Sequence, residues 1–193
     1  MASLPIARLT EEEYLRQERA AETKSEFVDG EMFAMSGGTR AHSTLAVRWI
    51  TQLSIKLEGR SCSVYNSDLK VRTRRTGSYL YPDVSVVCGE SLTHQDADDL
   101  VTNPVVVIEV LSPSTEGYDR GKKFALYREV ESLQDYVLVH TGEIHLEQFT
   151  RQPGNWLYRE YTGAESTIRI ESIGCEISLG DLYTGERLSP GSL

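Results

Sequence analysis

No stretch of the 193 residues stays apolar long enough to cross a membrane as a helix. The first residues, Met1-Ala2-Ser3-Leu4-Pro5, lack the basic and apolar regions of a secretory signal. Cysteine is scarce, and Cys62, Cys88 and Cys175 are odd in number and far apart. The expectation is therefore reduced thiols in a cytoplasmic protein, with neither a disulfide framework nor a zinc site. Positive charge is short as well: 20 Lys and Arg face 29 Asp and Glu, a formal net charge of −9. That balance argues against duplex binding driven by phosphate neutralisation alone. Local basic clusters remain, at Lys70, Arg72, Arg74 and Arg75 and at Arg120, Lys122, Lys123 and Arg128. There is no Gly-x-Ser-x-Gly elbow, no P-loop and no dinucleotide fingerprint. No repeat, low-complexity tract or linker divides the chain, so residues 1–193 read as one domain with a core from about residue 10 to residue 183.

What is present centres on two apolar, β-branched runs. Each carries one carboxylate: Asp83 in Tyr81-Pro82-Asp83-Val84-Ser85-Val86-Val87, and Glu109 in Val105-Val106-Val107-Ile108-Glu109-Val110-Leu111. Such runs read as buried strands. A carboxylate there is costly unless a proton, a cationic side chain or a metal ion neutralises it. On neighbouring strands the two acids can converge on one ion. A helix beginning near Asp119, with lysines in its first turns, follows the second strand. Asp, Glu and Lys gathered in this way suit metal-assisted phosphodiester hydrolysis, for which Mg²⁺ or Mn²⁺ with oxygen ligands is the expected cofactor.

Around these runs the pattern predicts further elements. Thr10-Glu11-Glu12-Glu13 is a capping box opening a helix to about Arg19. Asp29-Gly30 predicts a two-residue hairpin pairing Val28 with Glu31 and Glu26 with Phe33, so that Glu26 and Glu31 share a face. Leu45, Trp49, Leu53 and Leu57 form one buried stripe on a helix from His42 to Glu58, stopped by Gly59. Cys62 to Arg72 reads as strand. Asp119 is a fair N-cap for a helix to about Glu131. Gln134 to His140 and three or four short alternating strands complete the chain. The fold class is α+β with an α/β-like core: a central mixed β-sheet flanked by helices, an N-terminal hairpin and C-terminal antiparallel strands.

The ordered set Glu26-Phe27-Val28-Asp29-Gly30-Glu31, His42, Pro82-Asp83-Val84, Ile108 through Thr115, and Asp119 through Lys123 to Tyr127 resembles the Uma-type restriction-endonuclease-like family of the PD-(D/E)XK nuclease superfamily. The resemblance spans about Glu12 to Leu182. It implies a restriction-endonuclease-like fold and a divalent-metal site. Asp83 and Glu109 match the motif acids as metal ligands, with the Val110 carbonyl as a third, and Lys123 completes the catalytic set. The superfamily lysine two residues past the glutamate is here Leu111; Lys123 on the following helix takes its place, and Lys122 lies about 100° around that helix. Glu26, Glu31, His42 and Tyr127 are accessory candidates. The resemblance also implies DNA as substrate and a homodimer that cuts both strands. The alternative is a catalytically inactive nucleic-acid or protein binding module on the same fold; a hydrolase for another phosphoester is a third reading.

Overall fold

The computed structural model describes residues 8–35, 37–95 and 97–185. The N-terminal helix α1 spans Glu11–Ala20 and opens on the expected capping box: Glu13 N–H donates to the Thr10 hydroxyl at 3.2 Å and Thr10 N–H donates to the Glu13 carboxylate at 2.8 Å. The hairpin follows, β1 over Ser25–Val28 and β2 over Glu31–Ala34, with Val28 opposite Glu31 and Glu26 opposite Phe33. Its two turn residues sit at φ 54° and 83°, where Gly30 avoids the Cβ clash that left-handed backbone imposes.

Helix α2 spans Arg40–Leu57, capped by Thr39, and buries Leu45, Trp49, Leu53 and Leu57 on one face. The strands after it are β3 Cys62–Asn66, β4 Lys70–Arg72, β5 Tyr79–Leu80, β6 Val84–Cys88, β7 Leu100–Val101 and β8 Val106–Val110. Next come α3 Glu116–Tyr118, a π-helical turn over Asp119–Lys123 and α4 Phe124–Tyr127. The chain ends in β9 Asp135–Val139, β10 His145–Gln152, β11 Asn155–Thr162, β12 Thr167–Ile170, β13 Cys175–Ser178 and α5 Leu179–Tyr183.

The main sheet has six strands in the order β11-β10-β9-β8-β6-β3, with β8 and β9 parallel and the other pairs antiparallel. A second sheet, β2-β1-β5-β4-β7, carries the hairpin; β12 and β13 pair separately. The period of two sorts the main sheet's side chains. Val84, Val86, Val106, Ile108, Val137 and Val139 pack with α2, α5 and the β12–β13 pair. Val87, Val107, Tyr136 and Leu138 pack with Phe124, Leu126 and Tyr127 of α4. Glu109 alternates with Ile108 and Val110, so it stands on the α4 side.

Several sequence expectations need correction. Cys62 to Arg72 is two strands in two sheets, because Asn66 turns the chain by accepting the Asp68 N–H at 3.1 Å through its side chain. Asp119 does not cap the helix. The turn begins earlier, where the Thr115 and Glu116 N–H groups donate to the Ser112 carbonyl at 3.1 and 2.9 Å, and this leaves Asp119 inside the helical run. Asp83 sits in the bend just before β6 rather than within it. The remaining strand, β7, pairs in parallel with β4.

The reduced-thiol expectation also fails. Cys62 and Cys88 are cross-strand partners of β3 and β6, with Cα atoms 4.0 Å apart, and they are disulfide-bonded; Cys175 is a buried free thiol. Separation along the chain hid a pair that antiparallel register makes adjacent, and the thiol argument for a cytoplasmic setting goes with it. The bridge closes a loop of 26 residues. Chain entropy predicts a loss of about 3 kcal/mol on reduction. Calorimetry with and without reductant should then show Tm falling by about 6–12 °C. An unchanged Tm, matched by a Cys62→Ser, Cys88→Ser double variant, would contradict the bond.

Candidate active site

Strand β8 places Glu109 in an apolar run where it is 2% exposed. One residue on, the Val110 N–H donates to Asp83 Oδ2 at 2.7 Å. Asp83 is therefore pinned to the backbone beside Glu109, although the two acids are 26 positions apart in sequence. His42, in the first turn of α2, sets Nε2 3.2 Å from the same Asp83 oxygen.

The π-helical turn brings Asp119 and Lys123 inward together, both at most 5% exposed. Single π-turns inside helices recur at functional sites. The Lys123 ammonium lies 2.9 Å from Glu109 Oε1, 3.1 Å from Glu26 Oε1 and 3.7 Å from Asp119 Oδ1, and donates to the Tyr81 carbonyl at 3.4 Å. The Tyr127 hydroxyl donates to Glu109 Oε1 at 3.0 Å. Glu26 is held in turn by the Tyr81 N–H at 3.2 Å and the Tyr118 hydroxyl at 3.0 Å. Lys122 does not share the face; half exposed, it pairs with Asp29 at 3.2 Å.

Four carboxylates, Glu26, Asp83, Glu109 and Asp119, thus meet one ammonium and one imidazole. Burial pushes the Glu109 carboxyl well above the usual carboxylate range; Lys123 opposes this, while Asp83, Asp119 and Glu26 add to it. Burial likewise raises Asp119. For Lys123 burial acts downward, but Glu109, Glu26 and Asp119 together hold the ammonium well above the usual lysine range. The Asp83 hydrogen bond raises His42 against the effect of its own burial. The group opens into a cavity of about 610 Å³, lined by Glu26, His42, Asp83, Glu109, Val110, Asp119 and Lys123.

The structure therefore gathers Asp83, Glu109, Val110, Lys123, Glu26, His42 and Tyr127. It does not gather Glu31, which is exposed on the hairpin and does not line the cavity. Glu26 and Glu31 share a face as expected, but β1 is fully buried at that face and β2 is not. Sequence reasoning missed Asp119 by taking it for a cap. Its spacing of four from Lys123 was the available signal, since residues i and i+4 share one side of a helix.

A family model, Uma2, described as "Putative restriction endonuclease", matches residues 11–180. The chain belongs to the Uma2 family. Two Synechocystis relatives are uncharacterized proteins. One, slr1290, is 39% identical over 184 residues, covering 95% of each chain. The other, sll1609, is 33% identical over 163 residues, covering 84% of this chain and 92% of that one. The crystal structure of a putative nuclease belonging to DUF820 from Anabaena variabilis matches with a TM-score of 0.74, over 91% of this chain and 98% of that one. At 17% identity that likeness is one of fold, and it makes the Uma2 architecture here restriction-endonuclease-like. The resemblance read from the ordered motifs is thereby borne out.

A second polar group lies outside the cavity. His140, His145 and Glu147 bring potential ligand atoms within 4.8 Å of one another. The two rings are stacked at 4.2 Å with planes 18° apart, so their in-plane lone pairs run side by side rather than converging. Arg120 pairs with Glu147 and approaches His140 Nε2 at 3.0 Å, which places a guanidinium where a cation would sit. This group ties the π-turn to β9 and β10.

Proposed function

We propose that the chain is a divalent-metal-dependent nuclease that hydrolyses phosphodiester bonds in DNA. The observation that carries this reading is the imbalance at the cavity: four carboxylates face the Lys123 ammonium and the His42 imidazole, while Lys122 at the rim pairs with Asp29. Crowded acids are stabilised as anions when a cation joins them, and without one they hold protons instead. Oxygen donors on a partly open cavity fit Mg²⁺ or Mn²⁺ better than a softer metal. Asp83, Glu109 and the Val110 carbonyl would hold it. Once bound, the ion would supply Lewis-acid polarisation of the phosphate and acidify a coordinated water.

The chain's own residues have distinct tasks. The Val110 N–H and His42 fix the Asp83 carboxylate. Tyr127 and Lys123 fix Glu109. Glu26 and Asp119 steady the Lys123 ammonium, which offers a positive charge to a phosphate entering the cavity. The proposal extends to a homodimer, for which the outer edge of β11, with Leu157 and Tyr158 exposed, offers a surface.

The test is oligonucleotide cleavage with Mg²⁺ or Mn²⁺ against EDTA. The native chain should cut only with metal. Asp83→Ala should lose about a thousandfold in rate, the scale of several kcal/mol of lost charge stabilisation. Equal residual activity in the native chain and Asp83→Ala would mark a contaminant and reject this site.

A further inference from the structure

The acids occupy only part of the cavity. Val28, Phe33, Ala34, Met35 and Pro113 also line it, and they are apolar. Phe33 is 46% exposed, whereas Phe27 and Phe124 are buried in aromatic clusters. The hairpin register sets Phe33 directly across from Glu26, the acid that holds Lys123, so the ring stands on the same face as the catalytic group. An exposed aromatic at that place costs free energy in water, and among the described residues Phe33 forms no ring–ring pair.

We propose, building on the nuclease reading, that the substrate is an unpaired nucleic-acid strand or strand end, and that Phe33 stacks on a base beside the scissile phosphate. Three observations converge on it. The cavity, at about 610 Å³, is of the size that takes a small molecule or a nucleotide unit. The basic side chains lining it, His42, Lys122 and Lys123, all face carboxylates, so little charge is left to neutralise a run of phosphates. The whole chain carries −9, which disfavours duplex binding further. Base stacking on an aromatic ring needs none of that charge. It contributes per base on a scale that makes its loss about tenfold in affinity. Phe33 is then a specificity-determining residue, selecting strands whose bases can leave their partners.

Fluorescence anisotropy with a labelled single-stranded oligonucleotide and its duplex, in Ca²⁺ to hold the site without turnover, tests the proposal. The native chain should bind the single strand about tenfold more tightly than the duplex, with a shallow dependence on salt. Phe33→Ala should lose about tenfold on the single strand, so that the preference disappears, and Phe33→Trp should restore it. Because the ring is half exposed, both variants should melt with the native protein, which separates stacking from folding. Tighter or equal duplex binding, no measurable single-strand binding, or native affinity in Phe33→Ala would overturn the proposal. Failure of metal-dependent cleavage alone would overturn the nuclease reading and leave these binding measurements to stand on their own.

Discussion

Replacing Lys123 with methionine is expected to destabilise the protein by about 3–5 kcal/mol, the cost of stranding buried charge when one partner of an ion pair is removed. The variant keeps the length and apolar stem of the side chain, so the loss measures charge and not volume. Three carboxylates lose their shared cation at once: Glu109 at 2.9 Å, Glu26 at 3.1 Å and Asp119 at 3.7 Å. At this chain length Tm should drop by about 6–20 °C in EDTA. Some of that loss should return on adding Mn²⁺, because the ion supplies the missing charge and binding stabilises the folded state by mass action. Cleavage should stay abolished even where the fold is restored. A Tm within a degree or two of native, or substantial activity in the metal-rescued variant, would show that the ammonium is neither the electrostatic centre nor a contributor to the chemistry.

Glu109→Gln should do the reverse to stability and the same to activity. Glutamine keeps an oxygen to accept from Lys123 and Tyr127 while removing a carboxyl whose ionised form burial and three neighbouring acids disfavour. The metal-free variant should melt at or above the native Tm. Activity should fall about a thousandfold if Glu109 is a metal ligand. The pH dependence carries the same signature. Glu109 and Asp119 hold their protons to higher pH when folded than when unfolded, and so does His42. The folded state therefore binds more protons above the usual carboxylate range, and stability declines as pH rises out of that range. The carboxylates held low, Glu11, Glu13, Asp68, Asp99 and Glu147, give up their stabilisation only on the acid side and do not enter this window. Glu109→Gln should flatten the decline, and Mn²⁺ should flatten it in the native chain but not in the variant. A pH profile of Tm unchanged by either would contradict the proton assignment at this carboxyl.

Local rules made much of this molecule legible. The Thr10 capping box, the Asp29-Gly30 hairpin with its register, the α2 stripe from Leu45 to Leu57 and the two acid-bearing runs all depend on neighbours within a few residues. The Uma2 family likewise followed from ordered motifs. Glu109 and Lys123 were candidates because a charge in an apolar run demands a partner wherever the run is placed. Long-range adjacency was another matter. Which cysteines meet, which of Glu26 and Glu31 turns inward, and whether Asp119 caps a helix or enters the site depend on strand order and on where a helix begins.

Composition and periodicity alone therefore determined the elements, the buried faces and the set of residues needing compensation. Tertiary structure alone decided how that compensation is arranged: one ammonium among three acids, a fourth acid tied to the Val110 amide, and a cystine across β3 and β6. The reason is physical. Dihedral preferences and side-chain periodicity act over one or two turns of chain, whereas Coulomb attraction, desolvation and disulfide bonding act between groups that only the packed sheet brings within a few ångströms.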